Sequence, residues 1–258
     1  DDLVTGVQTC ALPICWRRRQ LVMSRVMETR ALVNWIRARR VPPQVLVNAS
    51  AVGFYGASGD VPLREHDPRG REFQARLCRA WEAAAMAAKA AGVRVCVLRL
   101  GLVLGRHGGS YPRLTAGIRL GAGLLFGNGQ QWLSWIHVED AVGLIEEALD
   151  NPVYTGPVNA VAPDAVRHEV FMKTVAAVTR RPIWSCVPAW LVRRGLGEMA
   201  TLMIDGQRVE PAAALTHGFR FRYPRLAGAI EALERGGSDD AEPSTPGHLR
   251  SVWFTWRS

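Results

Sequence analysis

Two valine-rich runs constrain this chain more than any other feature: "QVLVNAS" at 44–50 and "VRVCVLRL" at 93–100. Short, continuous apolar runs of this kind read as strands buried on both faces. Between them lie a turn-rich loop, "VGFYGASGDVPLREHDPRG", and an alanine-rich helix, "REFQARLCRAWEAAAMAAKAAG", which Gly92 closes. Ahead of them, Leu21, Val22, Val26, Leu32, Val33 and Ile36 recur at helical spacing between Arg17 and Arg40, until "VPP" stops the helix. Helix, strand, loop, helix, strand is the order of a parallel sheet with crossovers, whose ligands gather beyond the carboxyl ends of the strands. The loops after Ser50 and after Leu100 are therefore the functional ones.

Further along come a glycine-rich stretch over 105–129, a short strand in "WLSWIHV" and a helix "EDAVGLIEEALD" with acidic residues in its first turn. "GPVNAVA" reads as another strand, and a helix covers about 166–179. Segment 187–235 carries its own helix, hairpin-like and helix signals, which predicts a small α+β C-terminal subdomain. Residues 236–258 are a low-complexity tail expected to be disordered.

With 258 residues, 48% of them hydrophobic, the chain has enough apolar material for a large core, which excludes general disorder. No uninterrupted apolar run reaches membrane-spanning length, so no membrane partner is expected. The formal charge of +9 rests on arginines, with Lys89 and Lys173 as the only lysines. The clusters Arg17, Arg18, Arg19 and Arg37, Arg39, Arg40 lack interleaved aromatic platforms and read as a solvated face rather than a nucleic-acid surface. Five cysteines show no CxxC or Cys/His metal spacing, which predicts reduced, unpaired thiols and no metal. The opening stretch runs acidic, apolar, basic, the reverse of a secretory signal, and a cytoplasmic protein is expected.

The succession "VLVNASAVGFYG", "LCRAWEAAA", "VRVCVLRLGLVLG", "WLSWIHVEDAV" resembles the second half of extended short-chain dehydrogenase/reductases. More narrowly it is similar to their atypical branch, the NAD(P)-dependent epimerase-family proteins, and "VPAWLVRRGLGEMATLMIDGQRVEPAAALTHGFRFRYP" resembles that branch's C-terminal domain. The resemblance runs from about Trp16 to Leu233. It implies an α/β fold: the second half only of a Rossmann-like, doubly wound parallel sheet, here truncated, over 16–186, with the small C-terminal subdomain at 187–235. It also implies NADP or NAD as cofactor in the intact protein, and a small-molecule substrate.

On that resemblance Asn48, Ala49 and Ser50 end the first strand beside the nicotinamide, where small residues permit close approach and the Ser50 hydroxyl bonds the substrate; a strand-end cap is the plainer role for Ser50. Leu100, Gly101 and Val103 resemble residues that pack the carboxamide side of the ring, with core packing as the alternative. His137 and Asp140 read as structural, Asp140 at a helix N-terminus. Ordinary members carry a Tyr-x-x-x-Lys pair on the helix after the first loop, the lysine lowering the tyrosine pKa for proton transfer. Here Cys78 and Glu82 fall at those positions. Two substitutes present themselves: a phenol from Tyr55 in the loop, or a Cys78–Glu82 thiol and carboxylate pair. The plain alternatives are a loop aromatic for Tyr55 and a small buried residue for Cys78.

A dinucleotide-binding sheet also needs a glycine-rich turn leading into a helix that holds the pyrophosphate. No such unit precedes Ser50. In its place stands "DDLVTGVQTCALPIC", which resembles translated adapter read-through, so residues 1–15 are expected to be a non-native artefact. Two functional readings follow: an NAD(P)-dependent oxidoreductase or epimerase-like protein acting on an unidentified small molecule, here a fragment, or a non-catalytic NADP-binding sensor or scaffold.

Overall fold

A computed structural model of the chain describes residues 13–108, 110–119, 123–126, 128–187 and 206–235. Most of the expected artefact (1–12), the start of the expected subdomain (188–205) and the expected tail (236–258) lie outside the described residues.

The chain enters through α1 (Pro13–Val22), which passes through a π-helical stretch (Met23–Met27) into α2 (Glu28–Arg37). Val22, Val26, Val33 and Ile36 are buried on one side of this rod, the stripe anticipated from their spacing. The helix stops at Arg37, before the two prolines that could not continue it. Then come β1 (Val45–Ala51), the two-residue β2 (Pro62–Leu63), α3 (Phe73–Met86) and β3 (Arg94–Leu100). Gly92 takes a φ of 76° after a short 3₁₀ turn, the left-handed conformation that lets the helix end and β3 begin at once.

After β3 the chain forms β4 (Leu102–Leu104), α4 (Tyr111–Arg119), β5 (Gly123–Phe126), β6 (Trp132–Leu133), β7 (Trp135–His137), α5 (Val138–Asp150) and β8 (Gly156–Ala160). The central sheet has the order β1-β3-β8, all parallel, as the alternation of elements predicts. Both faces of β3 are covered. Val95 and Val97 join Val33, Ile36, Ala85 and Ala88 of α2 and α3 on one side. Cys96 and Leu98 join Leu144, Ala148 and Val158 on the other, under α5. This is why that strand reads as continuously apolar instead of alternating.

The remainder is β9 (Val166–Arg167), α6 (His168–Thr179), β10 (Ile183–Val187), β11 (Arg208–Val209), α7 (Ala212–Thr216) and α8 (Leu226–Arg235). A third core joins α4, α6 and α8 through Tyr111, Ile118, Phe171, Met172, Ile230 and Leu233. Burying each such side chain is worth about 1.5–3 kcal/mol. Two local readings change. The glycine-rich stretch 105–129 holds a helix and a strand, because Tyr111 and Ile118 give α4 an apolar side despite the flanking glycines. Among the described residues of 187–235 the strand β11 pairs in parallel with β2 across the chain and not with a neighbour in a hairpin.

Burial also sets a pH dependence. His168, 2% exposed at the start of α6, has its imidazole pKa pushed down by desolvation from 6.5 to about 4. The folded state thus disfavours the protonated ring, and the unfolded chain takes up the proton first. Stability from this group is complete above the unfolded pKa and is lost as pH falls from 6.5 towards 4. Urea unfolding should show the His168→Asn variant losing roughly 2 kcal/mol less than the parent chain between pH 7 and pH 5. Equal losses in the two proteins would refute this assignment.

Candidate active site

Parallel register places the functional loops together. Ser50 pairs with Arg99 and Ala51 with Leu100, so the carboxyl ends of β1 and β3 finish side by side. Ala49 is exposed, while Ser50 and Asn48 are buried and the Asn48 side-chain amide donates to the Ala49 carbonyl at 2.7 Å.

The Ser50 hydroxyl donates to Glu82 Oε1 at 2.7 Å, reaching across from β1 to α3. Arg99, on the neighbouring strand, grips the same carboxylate with both prongs: Nε to Oε1 and Nη2 to Oε2, each at 2.9 Å. The side chains of this ion pair are 4% and 12% exposed, a setting in which bidentate geometry matters most. Arg99 Nη1 donates onward to the Tyr55 hydroxyl at 2.9 Å and to the Glu65 carbonyl at 3.0 Å. Its guanidinium lies 3.6 Å from the centre of the Phe54 ring. Burial works against the Arg99 charge, yet the bonds from Glu82 and Tyr55 outweigh it and its pKa stands above the ordinary value.

Tyr55 closes the network. Its hydroxyl donates to Asn159 Oδ1 at 2.7 Å while accepting from Arg99, and the residue is 3% exposed. Desolvation raises its pKa, with Arg99 opposing in part. The phenol expected from the loop is held at both its hydrogen-bonding positions, by Arg99 and Asn159, because the loop folds back over β3 and β8. Asn159 and Glu65 carry the network to the C-terminal segment. Asn159 Nδ2 donates to the Glu210 carbonyl at 2.9 Å, and Glu65 Oε1 accepts from the backbone N–H groups of Asn159 and Ala213, each at 3.0 Å.

Cys78 is buried on α3, one turn before Glu82, and its thiol is pushed up to about 11, first by desolvation and then by the Glu82 charge. The Glu82 oxygens go to Ser50 and Arg99, so the geometry does not make a thiol and carboxylate pair. The same proximity that suggested the pair raises the thiol pKa.

In the second loop, Leu100 and Val103 are half-buried against the core under α5. Gly101 is required by backbone packing: a Cβ there would sit 2.5 Å from the Ser134 carbonyl oxygen and 2.8 Å from Val161. Its role is thus to let β4 run beside β7, with which it pairs in parallel. His137 Nδ1 accepts from the Glu139 N–H at 3.3 Å and caps α5. Asp140 accepts from the N–H groups of Arg222 and Tyr223 at 2.6 and 3.0 Å, tying the C-terminal segment to that helix start. Both are structural, as their positions indicate. Arg99, Asn159 and Glu65 are the polar members that reading the sequence missed. The buried arginine in "VCVLRL" was the available signal, since a charge inside a buried strand requires a partner.

Fold and site together define a doubly wound parallel α/β protein with a polar centre at the carboxyl edge of its sheet. Residues 15–161 match the NAD dependent epimerase/dehydratase family, and residues 187–233 match a domain of unknown function, DUF1731. The chain belongs to that epimerase family. It is 39% identical to the chloroplastic SDR39U1 homolog of Arabidopsis thaliana, an epimerase family protein, over 88% of this chain and 67% of that relative. The crystal structure of the human epimerase family protein SDR39U1 with NADPH superposes with a TM-score of 0.80 at 27% identity, covering 91% of this chain and 79% of that one. A nucleoside-diphosphate sugar epimerase from Corynebacterium glutamicum gives a TM-score of 0.70 at 33% identity, over 85% of this chain and 43% of that one. Among the described residues no helix is long and apolar enough to cross a membrane.

Proposed function

We propose that the chain works as an NADP(H)- or NAD(H)-dependent oxidoreductase or epimerase-like enzyme on an unidentified small molecule, at the carboxyl edge of β1 and β3. The observation that carries this is the bonded series Ser50, Glu82, Arg99 at the carboxyl edge of the parallel sheet, where ligands of such sheets gather. The residues at the end of β1 fit the nicotinamide end of the cofactor: the strand closes on Ala49, Ser50 and Ala51, so little side-chain bulk stands at its carboxyl edge. When bound, the nicotinamide supplies a hydride donor or acceptor. The human relative solved with NADPH favours NADP(H).

Proton handling falls to this chain's own side chains. Because Ser50 gives its proton to Glu82, its oxygen is left as an acceptor for a substrate hydroxyl. As that hydroxyl is oxidised, its proton moves to Ser50 Oγ while the Ser50 proton moves to Glu82; reduction runs the relay backwards. Arg99 holds Glu82 in place, and Tyr55 with Asn159 holds Arg99. Cys78 lies beside the relay, its thiol in hydrogen-bonding reach of Ser50 and of the Ala51 backbone.

Titration with NADPH and NADH, followed by tryptophan fluorescence, should show saturable binding of one of them. Incubation with a panel of sugar nucleotides and carbonyl compounds should then change the nicotinamide absorbance or isomerise a sugar. The sugar epimerase among the similar structures justifies including sugar nucleotides. Binding without turnover across the panel would favour the sensor reading, and absence of binding would remove both.

A further inference from the structure

Helices α2 and α3 pack side by side, but their outer faces diverge into a cleft of about 710 Å³. Its floor is a stripe of small residues, Ala80, Ala83 and Ala84 on one flank of α3 and Ala87 at the start of the 3₁₀ turn that follows. Glu82 is on the opposite flank, so this cleft is separate from the Ser50 site. The walls are arginines from three places: Arg30 and Arg37 on α2, Arg76 and Arg79 on α3, and Arg69 in the loop before α3. Among the described residues no carboxylate lines it.

Arg30 has a partner of its own, and the imbalance rests on the other four. Elsewhere on the surface Arg64, Arg167 and Arg222 each meet a carboxylate. Among the described residues Arg37, Arg76 and Arg79 make no ion pair, and the Arg69 guanidinium donates only to the Gly70 carbonyl. Unneutralised guanidinium groups around one concavity repel each other and focus a positive field into it. An anion that enters relieves the repulsion and finds rigid, planar donor forks suited to phosphate.

We propose that this cleft binds a small polyanion bearing two or more phosphate groups. The volume lies within the roughly 300–1,000 Å³ of small-molecule clefts. From Ala80 to Ala87 the floor is about 10 Å long at 1.5 Å per residue, enough for a short run of phosphates but only two turns of a docked helix. Among the described residues the lining has no aromatic side chain, so it offers no stacking platform to nucleic-acid bases. An acidic helix and a single-stranded nucleic acid are both poorer matches.

Calorimetric titration of the full chain with sodium tripolyphosphate, at physiological salt, tests the proposal. One site is expected per chain, with affinity falling at least tenfold in the double variant Arg76→Gln/Arg79→Gln. A control double variant, Arg220→Gln/Arg225→Gln, removes the same charge from exposed arginines outside the cleft and should bind as the parent does. Circular dichroism should show both variants folded, since all four side chains are exposed. Equal loss in both variants would mean diffuse attraction to the basic chain, and would overturn the site. So would absence of binding, or tighter cleft-dependent binding of an acidic peptide or an oligonucleotide than of tripolyphosphate.

Discussion

Replacing Arg99 with methionine is expected to lower the free energy of unfolding by about 3–5 kcal/mol, because it leaves a buried carboxylate without its cation. Glu82 would keep one hydrogen bond, from Ser50, in place of the two ionic bonds it now has as well. Tyr55 would lose the donor to its oxygen, and the Glu65 carbonyl would lose its bond from the same guanidinium group. The reverse deletion, Glu82→Leu, should cost less, since Arg99 retains Tyr55, the Glu65 carbonyl and the Phe54 ring. The double variant Arg99→Met/Glu82→Leu should recover much of the loss by exchanging a charge pair for apolar packing. Urea unfolding of all four proteins closes a double-mutant cycle, whose coupling measures the pair. A loss under about 1 kcal/mol for Arg99→Met would mean that water reaches Glu82 and that the ion pair is not the buried element described.

The parts of the fold that were legible in the sequence share a physical cause: a local pattern that tertiary contacts reinforce. β1, β3, α3 and α5 follow from continuous apolar runs, alanine periodicity and a closing glycine; β1, β3 and α5 lie within a residue or two of where those signals place them, while α3 gives way at Met86 to a 3₁₀ turn that reaches Gly92. Elements that depend on distant partners were hidden. The pairing of β2 with β11 joins two-residue segments about 145 positions apart, and nothing within either segment specifies the other. α4 was masked by surrounding glycines whose composition suggests loop. The site divides the same way. Ser50 and Glu82 were each singled out, 32 positions apart, but their hydrogen bond depends on α3 crossing back over β1. Tyr55 was singled out as a phenol supplied from the loop because sequence shows an aromatic there; it does not show Asn159, more than a hundred positions later, accepting its hydrogen bond. Gly101 was read as a cofactor contact, while the space it leaves is taken by the backbone at Ser134.

If Ser50 and Glu82 form the proton relay, Ser50→Ala should reduce kcat by about 10²–10⁴-fold, the usual contribution of positioned proton transfer. The dissociation constant of the cofactor should stay within about twofold, because the substitution removes one hydroxyl and adds no bulk. Stability should fall only modestly, as Glu82 keeps both bonds from Arg99. Glu82→Gln separates relay from orientation. Glutamine can still accept from Ser50 or Arg99 through its carbonyl oxygen, so the serine stays oriented, but it cannot take up the proton. A relay therefore predicts that Glu82→Gln loses activity about as severely as Ser50→Ala, and that the double variant is little worse than either, since residues acting as one unit are strongly non-additive. A merely orienting carboxylate predicts a small loss in Glu82→Gln and nearly multiplicative losses in the double variant. Single-turnover rates across a pH series decide between them. If Ser50→Ala turns over at the parent rate, the bonded series is structural, and the reacting proton must come from substrate or solvent.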